Sequence, residues 1–175
     1  MDPFHGQSVP VAFACYALLL AAGAVYDTWK LVIPNAVSLG LAALFPVTAL
    51  LVPLDLDWLS HLAAAVAVFL GGALLFRLNK LGGGDVKLIS AAALWTGLER
   101  LFDLLVYVAL AGGALALALL ALRRVVAAMC AAHPALGELA VPRVLRPGES
   151  IPYGVAIAAG AILLGGKLPH LGGFL

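Results

Sequence analysis

Six long apolar runs constrain this chain more than any other feature. They fall at about residues 9–26, 36–53, 58–78, 86–97, 101–122 and 151–168. A helix needs ~20 apolar residues to cross the hydrocarbon of a bilayer, and 86–97 is short of that. Only 11% of the residues are charged, against about 25% in a soluble domain, which is too few to coat a water-facing surface. Lipid offers no partner to a free N–H or C=O, so each run is expected to be α-helical. The expected fold is all-α: a polytopic membrane protein of about six transmembrane helices, with residues 1–175 forming one membrane-embedded domain.

The connections are short except for 123–150, which holds Pro134, Gly137, Pro142, Pro147 and Gly148. Six spans put both termini on one side. The loops after the first, third and fifth runs lie on the other, with Lys30, Arg77, Lys80, Lys87, Arg123, Arg124, Arg143 and Arg146. Only Arg100 and Lys167 fall on the terminal side. Cationic loops are retained in the cytoplasm. This reading places the termini outside and the basic face in the cytoplasm, in an inner-membrane location. The arginines of 123–150 could then meet anionic headgroups.

Several function classes lose support. A net charge of +1 suggests no nucleic-acid partner. Cys15 and Cys130 make no CxxC pair and no zinc spacing, and His5, His61, His133 and His170 are scattered. No metal or cofactor is expected. The N-terminus lacks the basic stretch of a cleaved signal peptide, so the first run is expected to stay as a helix. Trp29, Trp58 and Trp95 near segment ends suit interface anchors.

Acidic residues on the basic side are few. Glu138 and Glu149 sit in the long polar connection and read as solvated. Asp27 instead directly follows the first run, and Asp85 directly precedes the fourth. The chain runs in opposite directions at these points, so both carboxylates come to one membrane depth. An ionisable group there is costly unless it is hydrated, paired or used. Two carboxylates in close approach cannot both ionise easily and can share one proton. An aspartyl protease works from that state: one carboxylate takes a proton from water while the other polarises the substrate carbonyl. The run Gly82-Gly83-Gly84 before Asp85 removes side-chain bulk and permits positive φ, which would let a substrate strand approach. The start of the fourth helix directs free N–H groups at Asp85. Each feature alone has a plainer reading. Asp85 suits a helix N-cap, three glycines suit a flexible turn, and Asp27 suits a juxtamembrane charge.

Tyr26-Asp27, Ile33-Pro34-Asn35, Asn79-Lys80-Leu81-Gly82-Gly83-Gly84-Asp85-Val86-Lys87-Leu88 and Ile151-Pro152-Tyr153-Gly154-Val155-Ala156 together resemble the type IV prepilin peptidases, GxGD-class membrane aspartyl proteases. The resemblance implies that Asp27 and Asp85 are the catalytic pair. It implies removal of the basic leader of a prepilin-like membrane substrate at the cytoplasmic face, without metal or cofactor. Long members add a cytoplasmic region with paired CxxC motifs and methylate the new pilin N-terminus. That region is missing here, so the chain resembles the short, peptidase-only form found with Flp (tight-adherence) pili or archaeal preflagellin relatives, and methylation is not expected. Topology sets Pro152, Tyr153 and Gly154 on the side of the aspartates, as substrate-binding or site-shaping residues; Pro152 reads equally as a simple helix start. Two other classes stay open: a small proton- or ion-coupled carrier that binds ions at Asp27 and Asp85, and a non-catalytic scaffold for pilus assembly.

Overall fold

The computed structural model describes residues 5–51, 56–132, 142–146, 148–168 and 171. Asp55, His133, Glu138, His170 and the prolines 53, 134 and 147 lie outside the described residues. Among those described, six α-helices and one short 3-10 turn form the fold: α1 (His5–Lys30), α2 (Asn35–Leu51), α3 (Trp58–Arg77), α4 (Gly83–Thr96), α5 (Leu101–Ala132), the turn Arg143–Leu145 and α6 (Tyr153–Gly165). The all-α expectation holds.

α4 is the central rod. Nine of its residues are buried, among them Ile89, Ala91, Ala92, Ala93 and Trp95. α2 and α3 pack on it from one side and α6 from another, while α1 and α5 close the bundle around α6. Between lipid-facing helices there is little hydrophobic drive, so association depends on small residues that let backbones approach. Gly160 shows this best. A methyl group added there would lie 2.7 Å from the Val108 nitrogen and 2.9 Å from its Cα, so α5 and α6 touch through their main chains.

At the end of α4 away from the basic loops, Trp95 is fully buried. Its Nε1–H donates to the Leu41 carbonyl at 2.9 Å, and its ring lies 4.9 Å from Tyr16 and 5.5 Å from Phe45. Trp95 is therefore a core residue and not an interface anchor. Most of the segment that carries it is enclosed, whereas Trp29 and Trp58 are 75% and 45% exposed.

Three stretches are long and apolar enough to cross a membrane: Pro10–Lys30, Trp58–Arg77 and Leu101–Ala132. Their outer faces carry large apolar side chains, such as Leu18, Leu70 and Leu117, as lipid-facing surfaces do. α2 is apolar but has 17 residues, and α4 and α6 have 14 and 13. A 13-residue helix covers about 20 Å, less than the ~30 Å hydrocarbon core. The two shortest helices are also the most enclosed. α6 is shorter than its apolar run, because the chain leaves the helix at Gly165-Gly166.

Three helix ends differ from expectation. α1 continues through Asp27 to Lys30, and α4 begins at Gly83 rather than after Asp85. α5 extends to Ala132, ten residues into the stretch read as a connection. Arg123 and Arg124 can end an apolar run without ending a helix, and no glycine or proline follows before residue 132.

Candidate active site

Four helix ends converge on one cavity of about 640 Å³. Asp27 and Leu31 come from the end of α1; Leu75, Phe76 and Asn79 from the end of α3 and its turn. Gly82 and Asp85 come from the start of α4, and Ser150, Ile151 and Tyr153 from the approach to α6. The two aspartates singled out in the sequence thus line one space, near enough for the charge of Asp27 to act on Asp85.

The two carboxylates are held differently. Asp27 is 6% exposed, and its Oδ2 accepts the Gly154 N–H at 2.7 Å. Gly154 is in the first turn of α6, where backbone N–H groups have no helical acceptor and the positive end of the helix dipole favours an anion. A side chain on α1 thus caps a helix 127 positions away. Asp85 lies in the first turn of its own helix, whose N-cap is Gly82. The Gly82 backbone lies beside the Asp85 carboxylate, the approach from which a capping-box side chain reaches back. The plainer reading of Asp85 as the N-cap is corrected to this position three residues on. Its Oδ1 is buried and has no hydrogen-bond partner among the described residues. Such an atom is rare in a folded protein and points to a functional use.

The glycine run acts by its smallness. None of Gly82, Gly83 and Gly84 has positive φ, so the expected conformational role is corrected. A methyl group on Gly82 would lie 2.7 Å from Asp85 Oδ2; on Gly83, 3.3 Å from the Phe76 ring; on Gly84, 3.1 Å from Ile33 Cβ. On Gly154 it would lie 2.9 Å from both Asp27 Oδ2 and Ile33 Cδ1. Ile33 is buried and fills the space that Gly84 and Gly154 leave. It wedges between the starts of α4 and α6, which carry Asp85 and the N–H that holds Asp27. Sequence reasoning quoted Ile33 within a segment of the family resemblance but assigned it no role; its other signal was a large apolar side chain inside a short connection.

Positive φ occurs instead at Leu31 and Asn79, both at 54° and both on the cavity wall. Asn79 closes α3: its N–H donates to Phe76 O, and the Lys80 N–H donates to Leu75 O, the bonding of a Schellman motif. Leu31 ends α1 in a conformation that bulky residues rarely adopt.

The far wall is fixed by Arg123, another residue not foreseen. Its Nε–H donates to Val144 O at 2.9 Å and its Nη2–H to Ser150 O at 3.1 Å. An arginine expected to meet lipid headgroups is thus turned inward to tie the connection to α5. Pro152 is buried at the N-cap of α6, and its carbonyl accepts the Val155 N–H at 3.2 Å. Tyr153 lines the cavity and packs on Gly112, where an added methyl group would meet its ring at 3.1 Å.

The described residues hold no group of three or more His, Cys, Asp or Glu side chains placed to bind a metal. No curated protein and no solved structure matches the chain. The profile of the type IV leader peptidase family matches residues 13–117. That stretch includes Asp27, Ile33, the glycine run and Asp85, while Pro152 to Gly154 fall beyond it. It spans more than half of a sequence folded as an apolar helical bundle, and the chain belongs to the type IV leader peptidase family.

Proposed function

We propose that this membrane peptidase is an aspartyl endopeptidase that removes the leader of type IV prepilin-like substrates, with Asp27 and Asp85 as its catalytic pair. The observation that carries this reading is the meeting of both carboxylates in one cavity, with one buried oxygen of Asp85 left without a protein partner.

In the mechanism a water sits between the carboxylates, which share one proton and titrate as a unit. The ionised member takes a proton as the water oxygen attacks the scissile carbonyl carbon. The protonated member donates its proton to the carbonyl oxygen, giving a neutral tetrahedral diol. Collapse breaks the C–N bond: one carboxylic proton passes to the leaving amine while the other carboxylate takes a proton from a diol hydroxyl, which leaves the product acid and restores the shared proton. Asp27 Oδ2 is committed to Gly154, so the remaining oxygens do the proton transfer. Gly82 on one wall and Ser150 and Ile151 on the other leave backbone reachable for an extended substrate strand.

The distribution of basic residues supports a site on the cytoplasmic side of the inner membrane with both termini outside. The short connection between α1 and α2 holds no CxxC, which supports peptidase activity without N-methylation and favours an Flp-type substrate. Co-expression with an Flp-type prepilin tests the function: a gel should show the leader removed, and Asp27→Asn and Asp85→Asn should each leave the precursor intact. Full cleavage by either variant removes the paired mechanism. Thiol labelling of cysteines introduced at Ser150 and Glu99 tests the topology, with only the former expected to be cytoplasmic.

A further inference from the structure

A second concavity, of about 460 Å³, lies between α2 and α3. Both helices pack on α4. They meet each other at the Trp95 end, where Phe45 lies 5.7 Å from the Trp58 ring and 4.9 Å from the His61 ring. Toward the aspartate end they part, and α4 floors the gap.

The lining changes with depth in a regular order. α2 and α4 run parallel and are tied by Lys87 Nζ to Asn35 Oδ1 at 2.8 Å and by Trp95 Nε1 to Leu41 O at 2.9 Å. Lys87 and Asn35 form the outermost tier. Lys87 has no acidic partner among the described residues. Three residues deeper on each helix, about 4.5 Å along the axis, come Ser90 and Ser38. The Ser90 hydroxyl donates to Val86 O at 2.7 Å. Ser38 lines the groove at 5% exposure, and its hydroxyl has no partner among the described residues. Below these the walls are apolar, with Ala42, Leu94, Val66 and Phe69.

A cation and an amide, then a hydroxyl short of an acceptor, then hydrocarbon: a phospholipid presents the complements in the same order as phosphate, ester carbonyl and acyl chain. We propose that this groove binds one anionic phospholipid, with its phosphate at Lys87 and Asn35, an ester oxygen on the Ser38 hydroxyl and an acyl chain between α2 and α3. The groove is too small for a peptide helix. A cylinder ~10 Å across uses up this volume in about one helical turn. The bound lipid would brace α2 and α3 against α4, the helix that carries Asp85.

The test uses the full chain purified in detergent and exchanged into phosphatidylglycerol, phosphatidylcholine or their mixture, with retained lipid read by native mass spectrometry. The wild-type chain should keep one phosphatidylglycerol in preference to phosphatidylcholine. Lys87→Gln should reduce that preference about fivefold, the weight of one basic residue at an anionic surface, and Lys87→Arg should keep it. Ala42→Phe, which fills the groove, should retain neither lipid. Ser38→Ala guards against a folding artefact: it should raise Tm without lipid, because a buried unpartnered hydroxyl is gone, and gain less than wild type when phosphatidylglycerol is added. Equal retention of both lipids by the wild type, or unchanged retention in Lys87→Gln and Ala42→Phe, overturns the proposal. So does an Ala42→Phe variant that stops cleaving prepilin with lipid retention intact, which would assign the groove to a peptide. Lipid retention is read without cleavage, so this proposal and the peptidase reading can fail separately.

Discussion

The two aspartates share a cavity but live in unlike settings. Asp27 is almost wholly buried, and its carboxylate caps a helix from another part of the chain. Asp85 is half-buried, is supported only by the turn it belongs to, and keeps one oxygen without a partner. Asp27 is thus part of the framework, because removing it leaves the Gly154 N–H buried without an acceptor. Asp85 can turn about its own side-chain bonds with little effect on the packing around it. Under the proposed mechanism a proton-sharing pair gains from this division: one carboxylate would fix the site, and the other would adjust to water and substrate.

The largest effect falls on catalysis and should be the same for both. Asp27→Asn and Asp85→Asn should each lower prepilin cleavage at least about 100-fold, as loss of a positioned acid or base does, with far-UV circular dichroism unchanged. The alanine variants should then separate the two. Asp27→Ala strands a buried N–H and should lose about 1–3 kcal/mol of stability, read as a lower Tm in detergent. Asp85→Ala removes a carboxylate that already holds an unpartnered oxygen and should leave Tm nearly unchanged. Equal losses of Tm would dissolve the contrast.

The glycines beside the aspartates sharpen the same comparison. A methyl group on Gly154 meets Asp27 Oδ2, Asp27 Cβ and Ile33 Cδ1 within 3.1 Å. Gly154→Ala should therefore destabilise the bundle by about 1–3 kcal/mol and abolish cleavage along with it. A methyl group on Gly82 meets only the end of the Asp85 side chain, and the backbone there (φ −71°) suits alanine. Gly82→Ala should turn the carboxylate aside, so cleavage falls while Tm stays within roughly what a surface substitution does, ±0.5 kcal/mol. A Gly82→Ala enzyme of full activity would show that the seen orientation of Asp85 is not the working one.

The sequence made some of this legible and hid the rest for physical reasons. Charge is conspicuous in an apolar chain, so Asp27 and Asp85 stood out and loop charges put them at one depth. The anchor of Asp27 did not stand out, because a glycine N–H 127 positions away leaves no mark in residue type. The glycine run was visible, but its purpose was not: positive φ and close packing both require a missing side chain. Only the contacts of Phe76 and Ile33 decide for packing. Trp95 misled for a similar reason. Its place at a segment end is that of an interface anchor, and only the bundle reveals that its segment is enclosed.

A smaller effect is expected at Arg123, which holds the wall facing Asp85 without touching the carboxylates. Arg123→Met frees the Val144 and Ser150 carbonyls and loosens the chain that leads to Gly154. If this wall seats the substrate strand, KM should rise with kcat little changed, the mark of lost uniform binding. Arg123→Lys should not restore KM, because an ammonium lacks the fork that reaches two carbonyls at once. A fall in kcat instead would mean that the tie positions Asp27 through Gly154.

The smallest effect is expected at Pro152. Its carbonyl already makes the first bond of α6, and its ring is buried at the cap. Alanine can take the same backbone angles, so the change acts mainly by giving the unfolded chain more freedom, worth about 0.4–1 kcal/mol. Pro152→Ala should lower Tm slightly and leave kcat and KM as they are. The alanine also adds an N–H two residues before the one that holds Asp27. If kcat falls while Tm barely moves, that new donor is competing for the carboxylate or for the substrate strand. The anchoring of Asp27 would then depend on proline at 152 to keep the mouth of α6 free of a second donor.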